Sequence, residues 1–121
     1  MNYTCPVCGH LTFKEPPGSY DICTVCGWED DLSQLRFPES LGANDTSLIE
    51  AQKIVKNRGY FKRSIGKLFT GNKEKPEKDP SWRPLLDGEE YEHQKSGVDY
   101  GDTYPKDLTE LYYWKKYESK N

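Results

Sequence analysis

The chain has 121 residues, enough for one domain, with an apolar fraction of 34% and a mean hydropathy of −0.96. Its net charge of −3 lacks the domain-wide basic excess of a typical nucleic-acid binder, and no stretch reaches the run of apolar residues a membrane helix needs. Without a basic start leading into an apolar run, the sequence predicts a cytoplasmic protein that meets no membrane, in a compartment where thiols stay reduced.

All four cysteines lie in two matched pairs, Cys5-Pro6-Val7-Cys8-Gly9 and Cys23-Thr24-Val25-Cys26-Gly27. Two residues between cysteines let the backbone wrap an ion as a knuckle, and the glycine after each second cysteine suits the turn that closes it. Reduced thiols in this pattern point to one Zn²⁺ held by Cys5, Cys8, Cys23 and Cys26; iron in a rubredoxin-like site uses similar knuckles, and the spacing leaves that choice open. A thioredoxin-like redox pair would need one Cys-x-x-Cys in a βαβ setting, which is absent. Four protein ligands leave no open position, so the metal is expected to be structural. Between the pairs, residues 10–14 read as a strand, Pro16-Pro17-Gly18-Ser19 as a turn, and 19–22 as the returning strand. A hairpin between two knuckles is a zinc ribbon.

Trp28, next in the chain, is suited to pack beside the metal site. Glu29, Asp30 and Asp31 follow, either as a solvated face or as a contact patch for a basic partner. Residues 33–44 read as irregular loop. Ser47 and Glu50 form a capping box, Leu48, Ala51, Ile54 and Val55 share one helical face, and Gly59 supplies the stop; the pattern predicts a helix over 48–58.

Residues 60–69 interleave aromatic and basic side chains, which suits either a core-filling amphipathic segment or a surface for single-stranded nucleic acid. Residues 71–81 read as a mobile polar loop. Asp107 opens a helix expected over 108–118, whose Tyr112, Tyr113 and Trp114 dock back on the ribbon or form a binding face. Charge is uneven: residues 1–50 carry −6, residues 51–80 carry +6 and residues 81–121 carry −3. The fold expected is a small α+β domain over 1–121, a four-cysteine zinc-ribbon hairpin packed with two or three short helices. Its parts are a ribbon plus helix over 1–70, the loop over 71–81 and a C-terminal segment over 82–121.

Several stretches together resemble the bacterial cysteine-rich CPCC family: Cys5-Pro6-Val7-Cys8-Gly9, Gly18-Ser19-Tyr20-Asp21-Ile22-Cys23, Val25-Cys26-Gly27-Trp28-Glu29-Asp30-Asp31, and Gly42-Ala43-Asn44 leading to Ser47-Leu48 and Glu50-Ala51. The likeness covers roughly the first half of the chain. It departs at Val7, where the family's name-giving pattern has a third cysteine. The resemblance implies a fold more than an activity, with an association with toxin genes as immunity proteins.

An enzyme is not expected. The cysteines are on the metal, the two histidines lie near no nucleophile or carboxylate pair, and no Gly-rich phosphate loop occurs. The favoured reading is a non-enzymatic, zinc-stabilised protein-binding protein, in its most concrete form an immunity protein that captures a basic toxin through Glu29, Asp30 and Asp31. The alternative is a zinc-ribbon nucleic-acid binder using the basic segment 53–78.

Overall fold

In the computed structural model, which describes residues 2–62 and 76–115, each knuckle sits at the tip of its own hairpin. The first joins β1 (Tyr3–Thr4) to β2 (Leu11–Phe13), antiparallel, with Tyr3 opposite Phe13 and Thr4 opposite Leu11. One step along β1 matches two along β2, so Thr12 is the extra residue of a β-bulge. The second hairpin is a single bridge between Ile22 and Glu29, with Cys23 N donating to Trp28 O at 2.8 Å. Residues 10–14 therefore pair with the strand before the first knuckle and not with residues 19–22. The reason is local: in both knuckles the glycine N–H bonds back to the first cysteine's carbonyl (Gly9 to Cys5 at 2.8 Å, Gly27 to Cys23 at 2.9 Å), which turns each chain onto its own lead-in.

Residues 33–44, expected as loop, begin with the end of a short helix, α1 (Leu32–Arg36). Its stability comes from polar anchors that read as surface in a sequence. The Asp31 carboxylate caps it by accepting from Ser33 N and Gln34 N. The fully buried Gln34 donates to Ser40 O and Thr46 O and accepts from Asn44 N and Nδ2. Asn44 in turn accepts from Glu29 N at 2.9 Å and donates to Glu29 O at 2.8 Å. Its carboxamide thereby stands in for a strand along the second hairpin's inner edge.

Helix α2 (Leu48–Arg58) has the expected bounds. Ser47 accepts from Glu50 N, and Gly59 N closes the last turn on Val55 O. Leu48 and Ala51 enter the core that also holds the four cysteines, Trp28 and Phe61. Residues 63–75 lie outside the described part, so the reading of residues 60–69 is met only at Phe61, which is buried, and at Tyr60 and Lys62. The loop expected over 71–81 is in its described portion a docked edge: Leu11 N donates to Glu77 O, Asp79 N to Gly9 O, and Thr4 Oγ1 to Asp79 Oδ2 at 2.6 Å.

The helix expected over 108–118 is replaced by two 3-10 turns, Leu108–Leu111 and Tyr113–Lys115, broken at an extended Tyr112; residues 116–118 lie outside the described part. Tyr112, Tyr113 and Trp114 are all buried. Three consecutive residues of an α-helix fan across more than half its circumference, so one helix could not turn all three rings inward. Docking is the outcome, and these rings form no binding face.

The irregular stretch from Tyr91 to Tyr104 is held by Glu39, which meets the Tyr91 hydroxyl and the His93 ring, and by Arg36. Arg36 donates to both Glu92 carboxylate oxygens and to Thr103 Oγ1, with its guanidinium 4.5 Å from the Tyr104 ring centre and 5.1 Å from those of Phe37 and Tyr100.

Replacing Asn44 by Ala strips the partners of Glu29 N and Glu29 O together, while Gln34 Oε1 keeps only the backbone N–H of residue 44. Leaving buried polar groups unpaired costs about 1–3 kcal/mol each when no water reaches them, so Asn44→Ala is expected to lose about 2–4 kcal/mol in urea unfolding. A loss under about 0.5 kcal/mol, the size of an ordinary surface change, would show the network to be dispensable.

Candidate metal centre

The two hairpin tips meet so that all four Sγ atoms lie within 4.8 Å of one another, and all four cysteines are buried. Cys5 faces Cys26 and Cys8 faces Cys23, each pair 3.7 Å apart between sulfurs. A disulfide would need about 2.05 Å. Four sulfurs about 2.3 Å from a central zinc stand about 3.8 Å apart in a regular tetrahedron. The observed spacing therefore fits a shared ion and not a covalent bond.

Burial pushes the Cys5 thiol well above its ordinary value, and contact with Cys23 pushes Cys26 up. Contact with Cys23 pulls Cys8 down, and contact with Cys26 pulls Cys23 down. A bound cation lets all four be thiolates at once, because it supplies the positive charge that low-dielectric surroundings withhold.

Each knuckle is locked by distant chain. Pro6 O accepts from Gln52 Nε2 at 2.8 Å and from Trp82 Nε1 at 3.1 Å; Cys26 O accepts from Phe61 N and Lys62 N at 2.6 and 2.8 Å. Tyr113 extends the first lock, its hydroxyl accepting from Gln52 Nε2 and donating to Arg83 O. Glycine is required at both tips. Gly9 and Gly27 have φ of 82° and 90°; a Cβ on Gly9 would overlap the Trp82 indole, and one on Gly27 would lie 2.6 Å from Lys62 O. Gln52, Trp82 and Tyr113 escape a reading by motif, since their partners lie 30 to 76 residues away.

The expected acidic patch does not form. Asp30 and Asp31 are 3% and 5% exposed, and only Glu29 of the three keeps a partly open side chain. Asp30 Oδ2 accepts from Ser19 N and Oγ, tying the two strands of the second hairpin. Asp31 Oδ1 caps α1 while its Oδ2 accepts from Ala43 N at 2.7 Å. Both carboxylates face inward because the backbone donors they serve lie inside.

A small α+β protein stapled by a closed, buried four-cysteine cluster is the class that this fold and site define. The family model described as Cysteine-rich CPCC matches residues 3–77. That is more than half of the 121 residues, and the chain belongs to the cysteine-rich CPCC family. A comparison with curated proteins gives no match. Val7, where the family's name places a cysteine, is buried in the core with the four cysteines, which cluster without it.

Burial pushes the Asp30 carboxyl up from its ordinary 3.8, outweighing the Ser19 donors that favour ionisation. A folded-state value above the unfolded one means stability is fully present below 3.8 and is lost as pH rises through the raised value. Asp30→Asn does not titrate, so its stability relative to wild type should rise with pH across that window and then level off. Urea midpoints at a series of pH values measure this; a difference that moves in favour of wild type as pH rises would mean that the Ser19 bonds dominate.

Proposed function

We propose that Cys5, Cys8, Cys23 and Cys26 hold one structural zinc ion and that the protein is a non-enzymatic, cytoplasmic protein-binding module built around it. The sulfur spacing carries the metal half of this reading: two 3.7 Å pairs inside one 4.8 Å cluster suit a tetrahedral four-thiolate ion. Zinc takes that geometry with no redox chemistry of its own. With four protein ligands the ion has no position left for a water or substrate, so its part is to hold the fold.

The partner half rests on what the second hairpin still exposes. Tyr20 is 58% exposed in the left-handed region at φ 64°, an uncommon state for a large residue, and Ile22 is 44% exposed. Asp21 is exposed beside them and Glu29 lies across the bridge. An aromatic and an aliphatic side chain among carboxylates, on a hairpin tied to the metal, suit a basic protein surface. A toxin bound by its immunity protein in a bacterial cell is the most concrete form of such a partner. The nucleic-acid reading draws less support from the described residues of 53–78, where Lys53 pairs with Glu50 and Arg58 donates to Tyr60 O and Phe61 O.

Elemental analysis of the purified protein is expected to give one zinc per chain. Cys8→Ser or Cys26→Ser should lose both metal and the dispersed amide spectrum of a folded chain, since binding energy here is folding energy. Folded, metal-free wild type would end the metal reading; iron in its place would keep the site and change the ion.

For the surface, the double variant Tyr20→Ala, Ile22→Ser should keep its metal and lose ~10-fold or more in affinity for a basic partner recovered by cross-linking, as central anchors do. Unchanged affinity would remove this hairpin as the binding surface.

A further inference from the structure

The sulfurs of the cluster are not equivalent. Cys23 Sγ accepts from Val25 N and Cys26 N at 3.4 Å each, both within its own knuckle, and from Thr12 Oγ1 at 3.3 Å. Among the described residues, no N–H or O–H donor hydrogen-bonds to the sulfurs of Cys5, Cys8 or Cys26. Cys8 is also the ligand with the most exposure, 6% against none for the other three.

Thr12 comes from the other hairpin. It is the bulged residue of β2, with its N–H turned back to His10 O at 3.0 Å instead of across the ladder to β1. A bulge bends a strand and re-aims a side chain, and bulges gather where such aiming is needed. Here the hydroxyl is directed across the cluster to the opposite knuckle, 11 residues along the chain.

We propose that Thr12 is a positioning residue of the metal centre: its hydroxyl hydrogen bond holds Cys23 as the anchor ligand, and the site opens from the Cys8 side. The inference rests on the metal reading above and adds an order to it. A thiolate that accepts three donors has its negative charge spread over them, which weakens its reaction with protons and electrophiles and fixes its orientation toward the ion. A thiolate with fewer donors in a less completely covered residue is attacked first. The bulge is then retained for the centre it serves, since a regular β2 would place Thr12 in the ladder.

The test uses metal-loaded full-length protein and a limiting amount of iodoacetamide, in which a cysteine sulfur forms a C–S bond as the C–I bond breaks and iodide leaves with the electron pair. Mass spectrometry of the singly modified chains is expected to find Cys8 modified most and Cys23 least. Thr12→Val removes the hydroxyl at nearly constant shape and should bring Cys23 up among the reactive ligands. It should also speed metal transfer to a chelator by ~10-fold or more, in line with the loss of an outer-shell partner. In the cobalt-substituted protein it should shift the sulfur-to-cobalt charge-transfer band, a readout that a change in stability alone does not move. Thr12→Ser, which restores the donor, should return all three properties to wild type.

Should Thr12→Val not fold, Thr12→Ala against Thr12→Ser makes the same comparison. An unchanged order of modification and an unchanged cobalt band in the hydroxyl-free variant would overturn the inference while leaving the metal reading intact. Wild type that takes up neither zinc nor cobalt would overturn the metal reading itself.

Discussion

Four sulfurs confined within 4.8 Å are the constraint on which the other contacts of this protein depend. Thiolates that close repel one another in a medium that screens poorly, and a cation held among them would convert that repulsion into attraction. Once the tips of the two hairpins are joined, their outward carbonyls become fixed acceptors. Pro6 O takes Gln52 from α2 and Trp82 from the C-terminal segment; Cys26 O takes the backbone of Phe61 and Lys62. The helix and the C-terminal aromatics therefore dock on the two knuckles more than on any sheet. The sheet itself is one two-stranded ladder, which would be marginal alone.

The rest of the interior is unusually polar for a small domain. Asp30, Asp31, Gln34, Asn44 and Gln52 are all buried, and each is hydrogen-bonded to backbone that would otherwise go unpaired. A chain with few aliphatic residues and little regular secondary structure has many such backbone groups to satisfy, and short polar side chains do so where ladders and helices do not. Arg36 performs the same task on the outside, holding an irregular stretch by charge and by aromatic contact. These networks link the loops to the segments that carry the cysteine cluster. The exposed residues of the second hairpin, Tyr20 and Ile22, therefore sit on a segment whose backbone is pinned through Asp30 and Asn44.

Membership in the cysteine-rich CPCC family now has a structural reading for each stretch that carried the likeness. The cysteines and glycines make the knuckles, the Gly18–Ile22 stretch supplies Ser19 to Asp30, and the Gly42–Asn44 stretch supplies the amides that Asp31 and Glu29 need. The motif is one connected unit, with the cysteine cluster at one end and the buried amide network at the other.

Reading residues in order was sufficient wherever the cause of a structure lies within a few positions. The four-cysteine cluster follows from spacing, and both ends of α2 follow from Ser47 and Gly59, because a knuckle and a helix cap are closed by near neighbours. Where the cause lies far along the chain, the tertiary structure decided. Glu29-Asp30-Asp31 has the composition of a solvated face, yet two of its three carboxylates turn inward to donors at Ser19, Ser33 and Ala43. Residues 33–44 look like loop, and α1 forms there because Asp31 caps it and Asn44 satisfies its one buried amide. The C-terminal aromatics promise a helix, and the demand to bury Tyr112, Tyr113 and Trp114 together breaks it into turns. A sequence states which groups need a partner; only the folded chain brings the partner within 3 Å, and a polar side chain is buried or exposed according to whether that partner is inside.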